Sequence, residues 1–311
     1  MFGVTPAIGI FGVIGNIFSI IILTKHGLHK CSNITLLVLA INDMAFLIGF
    51  NSVPKLIYEV MGDSHSFLFS LTDSYVLYIF YHIFHIMDYA SAGVSLSLPV
   101  VITLERLVAV FLPLRFHQIV TPARTWFAVA FISVFWYAFF VHMSFYMAFS
   151  YEFNARVNIS VGLIQRSAYH YSSLHVVFLL EEAMSMLMMK IPPALTFAGC
   201  IVIGIKVKMA SSRRQKMTSK GQAEGSSNRT TKMLLAVCLL YTVTCAILSL
   251  PTYLPQYVYY TMTSDAPSNM GTILYQAINI VLCVNSSSNF IIYVAMNKNF
   301  RDTYKSLFVR N

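Results

Sequence analysis

The sequence predicts an all-α membrane protein, a seven-transmembrane helix bundle with a short amphipathic C-terminal helix, in which residues 1–311 form a single domain. Three observations carry that expectation. Apolar side chains make up 57% of the chain and charged ones 11%, whereas a soluble domain is about one quarter charged. The apolar residues gather into seven runs, each close to or above the roughly 20 residues that a helix needs to cross hydrocarbon. The Lys and Arg residues between those runs collect on alternate loops, as the positive-inside tendency requires.

In chain order the runs cover about 6–23, 34–60, 75–111, 125–149, 176–207, 233–260 and 270–296. The first resembles a signal peptide in length, but no small-residue cleavage site follows it and Asn16 lies mid-run, so it reads as a true span. Lys25 and Lys30 follow it, Arg115 and Arg124 follow the third, and eight basic residues from Lys206 to Lys232 surround the loop after the fifth. Lys298, Arg301, Lys305 and Arg310 follow the seventh. The opposite side carries Arg156 and Arg166 in its loops, while Lys55 and Lys190 fall inside runs. The N-terminus is therefore expected outside and the C-terminus cytoplasmic, in a multi-pass plasma-membrane protein. Of the sequons at Asn33, Asn158, Asn228 and Asn285, this orientation leaves Asn158 alone available for glycosylation.

The net charge of +9 is spread over short loops rather than gathered in one patch, which argues against nucleic acid as a partner. None of the five cysteines has zinc-site spacing, and four of them, Cys200, Cys238, Cys245 and Cys283, lie inside runs, so no disulfide is implied. Residues 211–231, rich in Ser, Lys and Gly, read as a solvated loop. Between about 297 and 309, Phe300, Tyr304, Leu307 and Phe308 recur at helical spacing against basic residues. Either a helix lying on the inner leaflet or a packed cap on the bundle satisfies that pattern.

Ionisable groups inside lipid are costly and turn toward the bundle interior. Asp43 lies in mid-span, and Ser95, Asn285, Ser286 and Asn289 are placed to converge on it. A carboxylate with hydroxyl and amide oxygens is the set a hard cation such as Na+ accepts. A hydrated hydrogen-bond network without an ion is the alternative, and no cofactor is required. Asp88 lies near one end of the third run and the Glu105-Arg106 pair near the other, five helical turns apart.

One set of residues per span then falls in order: Gly12-x-x-Gly15-Asn16, Leu39-Ala40-x-x-Asp43, Glu105-Arg106-Leu107 with Pro113-Leu114, Trp136, Pro193, Pro251, and Asn289-x-x-x-Tyr293. The series resembles a rhodopsin-like (class A) G-protein-coupled receptor over nearly the whole chain. At finer grain, Leu104-Glu105-Arg106-Leu107-Val108-Ala109-Val110 with Ile119-Val120-Thr121-Pro122 is similar to gastropod mollusc chemosensory receptors. So are Arg214-Gln215-Lys216-Met217-Thr218-Ser219, Pro267-Ser268-Asn269-Met270-Gly271 and Ala295-Met296-Asn297-Lys298-Asn299-Phe300-Arg301.

The resemblance implies that Arg106, held by Glu105, swings to meet a heterotrimeric G-protein, that Leu114 after Pro113 plugs into it, and that Asn289 and Tyr293 take part in activation. It also implies departures. Tyr81 stands where the family has an extracellular cysteine, and the loop 150–175 has none, so that loop is expected to lack its usual tether. Ser249 stands at the tryptophan switch, Phe290 replaces the proline beside Asn289, and no acid near Thr230 or Thr231 completes a lock on Arg106. A shallow inactive state with basal activity is the expected consequence.

Few residues precede the first span, so a small extracellular ligand is expected between the helices, with Asp88, Tyr89, Lys190 and Tyr253 as the candidate residues. In amine receptors of the resembled family an acid at Asp88's position pairs with the ligand's ammonium. Lys190 is instead placed to pair with Asp88 internally, or the two together to clamp a zwitterion such as an amino acid or a peptide terminus. Cys283 occupies the place of a tyrosine common in amine receptors, which weakens the amine reading. No Ser-His-acid arrangement, phosphate loop or paired acid-base carboxylates points to an enzyme. A chemosensory receptor is the primary expectation, with a neuropeptide or biogenic-amine receptor next. A small transporter, which would need a polar path across the midplane, is more remote.

Overall fold

The computed structural model describes residues 3–60, 66–67, 70–155, 158–217, 226–250 and 269–308. Its spans are α1 (Val4–Lys25), α2 (Cys31–Phe50) and α3 (Leu71–Phe111). Then come α4 (Pro122–Ser144), α5 (Leu174–Met184, a π turn Ser185–Lys190, then Ile191–Met217), α6 (Ser226–Leu248) and α7 (Asn269–Met296). A short helix, α8 (Lys298–Ser306), follows. Among the described residues six helices are long and apolar enough to cross a membrane. The sixth expected span is represented by α6, whose apolar part is Met233–Leu248; its continuation toward residue 260 lies outside the described residues.

Local chemistry fixes the starts. The side chain of Ser70 caps α3 by accepting from the Asp73 backbone N–H at 3.2 Å, with the Asp73 carboxylate favourably placed at the positive helix end. Thr121 caps α4 in the same way, and Pro122 supplies the preset φ of a first helical residue. Asn297 caps α8 by accepting from the N–H of Phe300 at 3.3 Å. Expected run two is not one helix. It breaks at Asn51–Ser52 and resumes as Val53–Val60, where Pro54 has no N–H to continue the ladder.

Packing centres on α3. At about 1.5 Å per residue its 41 residues span roughly 60 Å, and it touches α2, α4, α5, α6 and the outer sheet. Leu96, Leu98 and Ile102 on α3 are buried with Leu36, Leu39 and Leu47 of α2. Gly93 lets α4 come close, because a β-carbon there would lie 2.6 Å from the Trp136 ring. Trp136 donates through Nε1 to Ser97 Oγ at 2.9 Å, and Tyr137 and Ser91 share a 2.8 Å hydrogen bond. Pro99 interrupts the ladder of α3, and its carbonyl accepts from Thr103 Oγ1 at 2.7 Å. The outward faces are apolar, with Phe11 77% and Phe127 75% exposed. Such a surface suits lipid.

Two elements differ from expectation. The fourth run was expected to continue to residue 149, but α4 ends at Ser144 and the chain turns into a sheet. Strands β1 (Ser66–Phe67), β2 (Met147–Asn154) and β3 (Ile159–Arg166) form an antiparallel sheet in the order β1-β3-β2, with Met147 opposite Arg166 and Asn154 opposite Ile159. The loop with no disulfide tether is thus a hairpin docked on the N-terminal end of α3. Phe149 stacks on Tyr78 at 4.8 Å, and Tyr151 donates to the carbonyl of Leu71 at 2.7 Å. All five cysteines are free, and Tyr81, at the expected cysteine position, is buried against His85.

At the C-terminal end of α7, α8 packs as a cap. Phe300 is buried against Tyr293 and Phe290, and Tyr304 meets Phe18 of α1 edge-on at 5.4 Å. Arg301 donates to the last carbonyls of α7, those of Val294 and Ala295.

Candidate functional site

Three buried polar tiers lie along α3. The outer one holds Asp88, 1% exposed, in an ion pair with Lys55, 5% exposed. The break at Asn51–Ser52 and the turn that follows place Lys55 there. Its ammonium lies 4.5 Å from the Phe50 ring centroid and 5.5 Å from that of Tyr89, within the range of cation–π attraction. Gly49 makes the approach of α2 and α3 possible, since a β-carbon there would meet the Asp88 backbone N at 3.0 Å. Tyr89 also contacts His85 at 4.5 Å and Phe140 at 5.5 Å.

This corrects the expected internal pair. Lys190 does not reach Asp88; it bonds Glu182 at 3.2 Å on the more exposed side of α5. The π turn Ser185–Lys190 accounts for the shift, because the extra residue it inserts re-aims side chains beyond a regular helix. The same turn presents the carbonyl of Met189 to Ser249 Oγ at 3.3 Å, so the residue at the tryptophan-switch position ties α6 to α5. Tyr253 lies outside the described residues. Sequence reasoning missed Lys55, although a lysine inside an apolar run was itself the signal.

The middle tier brings three of the four residues expected around Asp43 to its carboxylate. Asn289 donates to Asp43 Oδ2 at 2.7 Å, and the Ser95 and Ser286 hydroxyls lie near the same carboxylate. Asp43 Oδ1 and Ser95 Oγ are buried without a hydrogen-bond partner among the described residues. Asn285 turns away and accepts from Thr244 of α6 at 3.3 Å. Asn16 joins the tier from α1, donating to the Ser286 carbonyl at 3.0 Å.

The inner tier is the Glu105–Arg106 pair, with Glu105 6% exposed. Arg106 Nε makes no hydrogen bond among the described residues, and neither does the hydroxyl of Tyr293, itself 1% exposed. Pro113 and Leu114 lie in the turn after α3, and Leu114 is 95% exposed. At about 1.5 Å per residue, Asp88 and Arg106 are roughly 27 Å apart along one helix.

Buried polar tiers at separate levels of α3, rather than a continuous polar path, suit a transducer more than a pore. Residues 4–311 match the family described as Serpentine type 7TM GPCR chemoreceptor Srw. The chain belongs to this family. No individual curated protein matches it. Membership makes the chain a chemosensory G-protein-coupled receptor of seven spans in the plasma membrane, coupling to a G-protein and responding to small ligands. The neuropeptide, amine and transporter alternatives are not favoured by it, and the family is one of receptors rather than enzymes.

Proposed function

We propose that this receptor binds its ligand between the helices at the Lys55–Asp88 tier and passes occupancy along α3 to a G-protein cleft at Arg106. The supporting observation is the buried ion pair. Two opposite charges withdrawn from water at the outer end of the central helix form an element with two states, paired to each other or paired to a ligand, and such elements turn ligand preference into signal. Arg106, released from Glu105, and Leu114 would then receive the G-protein, with Asn289 and Tyr293 relaying the change. The ordered motif series supports a rhodopsin-like receptor with similarity to gastropod chemosensory receptors, and the Lys and Arg residues on alternate loops support an N-terminus outside.

The middle tier fits a sodium ion. A buried carboxylate with the Ser95 and Ser286 hydroxyl oxygens beside it is an oxygen-only donor set, which a hard cation accepts. Asp43, Ser95 and Ser286 would hold it beside Asn289, while Asn285 is engaged elsewhere. A bound ion would favour the state in which these residues stay together.

The test is a signalling screen of amines, amino acids and short peptides on the receptor, repeated with Asp88→Asn. A ligand whose potency is unchanged by Asp88→Asn places the binding site away from this tier and refutes the proposal.

A further inference from the structure

The charge balance of the outer tier restricts what can enter it. Lys55 and Asp88 sum to zero and are both buried, and around them lie the Phe50 and Tyr89 rings, His85, Tyr275 and Cys283. A simple amine that takes Asp88 either displaces Lys55, leaving a buried ammonium against the Phe50 and Tyr89 rings, or shares the carboxylate and leaves an unbalanced positive charge. Each outcome strands a charge away from water, which is costly. A simple carboxylate on Lys55 strands Asp88 in the same way. A molecule with one ammonium and one carboxylate inserts into the pair and leaves every charge with a partner.

The hydrogen-bond inventory agrees. Asp88 Oδ1 is buried with no donor among the described residues, and so are His85 Nδ1 and Asn51 Oδ1. Two of these border the pair: His85 contacts Tyr89 and faces the Lys55 ammonium, and Asp88 Oδ1 is the pair's own free oxygen, whereas the Asn51 amide lies against Gly9 of α1. Asp88 Oδ1 can only accept, and an ammonium brings three donors. Tyr89, His85 and Phe50 supply flat apolar faces beside them.

We infer that the ligand is a zwitterion of amino-acid type with an aromatic or apolar side chain, its ammonium on Asp88 and its carboxylate on Lys55. This rests on the proposal that ligand binds at this tier.

The experiment compares three probes with the same ring: L-phenylalanine, phenethylamine and 3-phenylpropionate. The purified full-length receptor in lipid nanodiscs is heated with each, and stabilisation by mass action reads relative affinity. Phenylalanine is expected to raise the unfolding midpoint at concentrations about tenfold or more below those needed for the other two. Lys55→Gln should shift the preference toward phenethylamine, and Asp88→Asn toward 3-phenylpropionate. Because either single change can impair folding, the exchange Lys55→Asp with Asp88→Lys, which keeps the pair, should fold and still prefer phenylalanine. Preference for phenethylamine in the wild type, abolished by Asp88→Asn, overturns the ligand class while leaving the site in place. Phenylalanine preference that neither Lys55→Gln nor Asp88→Asn alters, or that the exchange abolishes, overturns the site itself. No stabilisation by phenylalanine overturns the inference.

Discussion

Removing one member of the Lys55–Asp88 pair is the sharpest perturbation the fold offers. Both groups are almost fully buried, with side-chain exposures of 7% and 2%, so solvent does little to screen a charge left behind. Lys55→Met or Asp88→Leu alone should destabilise the receptor by about 3–5 kcal/mol, while the double change should be neutral or stabilising because no charge remains to be solvated. At roughly 2 °C per kcal/mol for a chain of this size, each single variant should unfold at least about 6 °C below wild type, and the double variant near it. Thermal unfolding of purified receptor, read by a thiol-reactive fluorophore, suits the measurement. Cys31, Cys238, Cys245 and Cys283 are free and buried and become reactive as the bundle opens. If the double variant loses the sum of the two single losses, the two charges act independently and the pairing argument fails.

Further tests address other parts of the structure. Gly93→Ala places a methyl group 2.6 Å from the Trp136 ring; the ring must move, breaking its bond to Ser97, at about 1–3 kcal/mol. In a Trp126→Phe background, which leaves Trp136 as the single tryptophan, its emission should shift to the red; unchanged emission would show that the contact is soft. His26, just past α1, shares a 2.8 Å hydrogen bond with Thr303 of α8, and burial followed by nearby Lys30 holds its pKa below 6.5. Protonation therefore favours the undocked state: this contribution is complete above about pH 6.5 and is lost as pH falls below it. A spin label at Lys305→Cys should gain mobility on acidification, and His26→Gln should remove that dependence. Asn158, exposed at the hairpin turn with φ of 55°, should carry glycan on receptor from eukaryotic cells. Asn158→Gln should abolish the mobility shift on glycosidase treatment, and a chain glycosylated elsewhere would invert the topology.

The helices were legible because lipid imposes a simple rule, long apolar runs with charge at the loops, and α1, α3 and α7 follow it closely. The sheet was legible too, in a signal the run-length rule hides. Met147, Phe149, Tyr151 and Phe153 alternate with Ala148, Ser150, Glu152 and Asn154, a period of two, but the apolar start of that stretch reads as the end of a span. Asp88 stood out because an acid in lipid demands a partner. Its partner did not, because two lysines lie inside runs and the choice between Lys55 and Lys190 depends on the helix break at Asn51–Ser52 and on a π turn. Neither is encoded by periodicity.

The central claim is that Arg106 transmits what the outer tier senses. Receptor reconstituted in vesicles with heterotrimeric G-protein should accelerate nucleotide exchange when an activating ligand from the screen is added. Arg106→Ala should abolish that acceleration while ligand binding to the outer half persists. Exchange by Arg106→Ala at the wild-type rate would contradict the account.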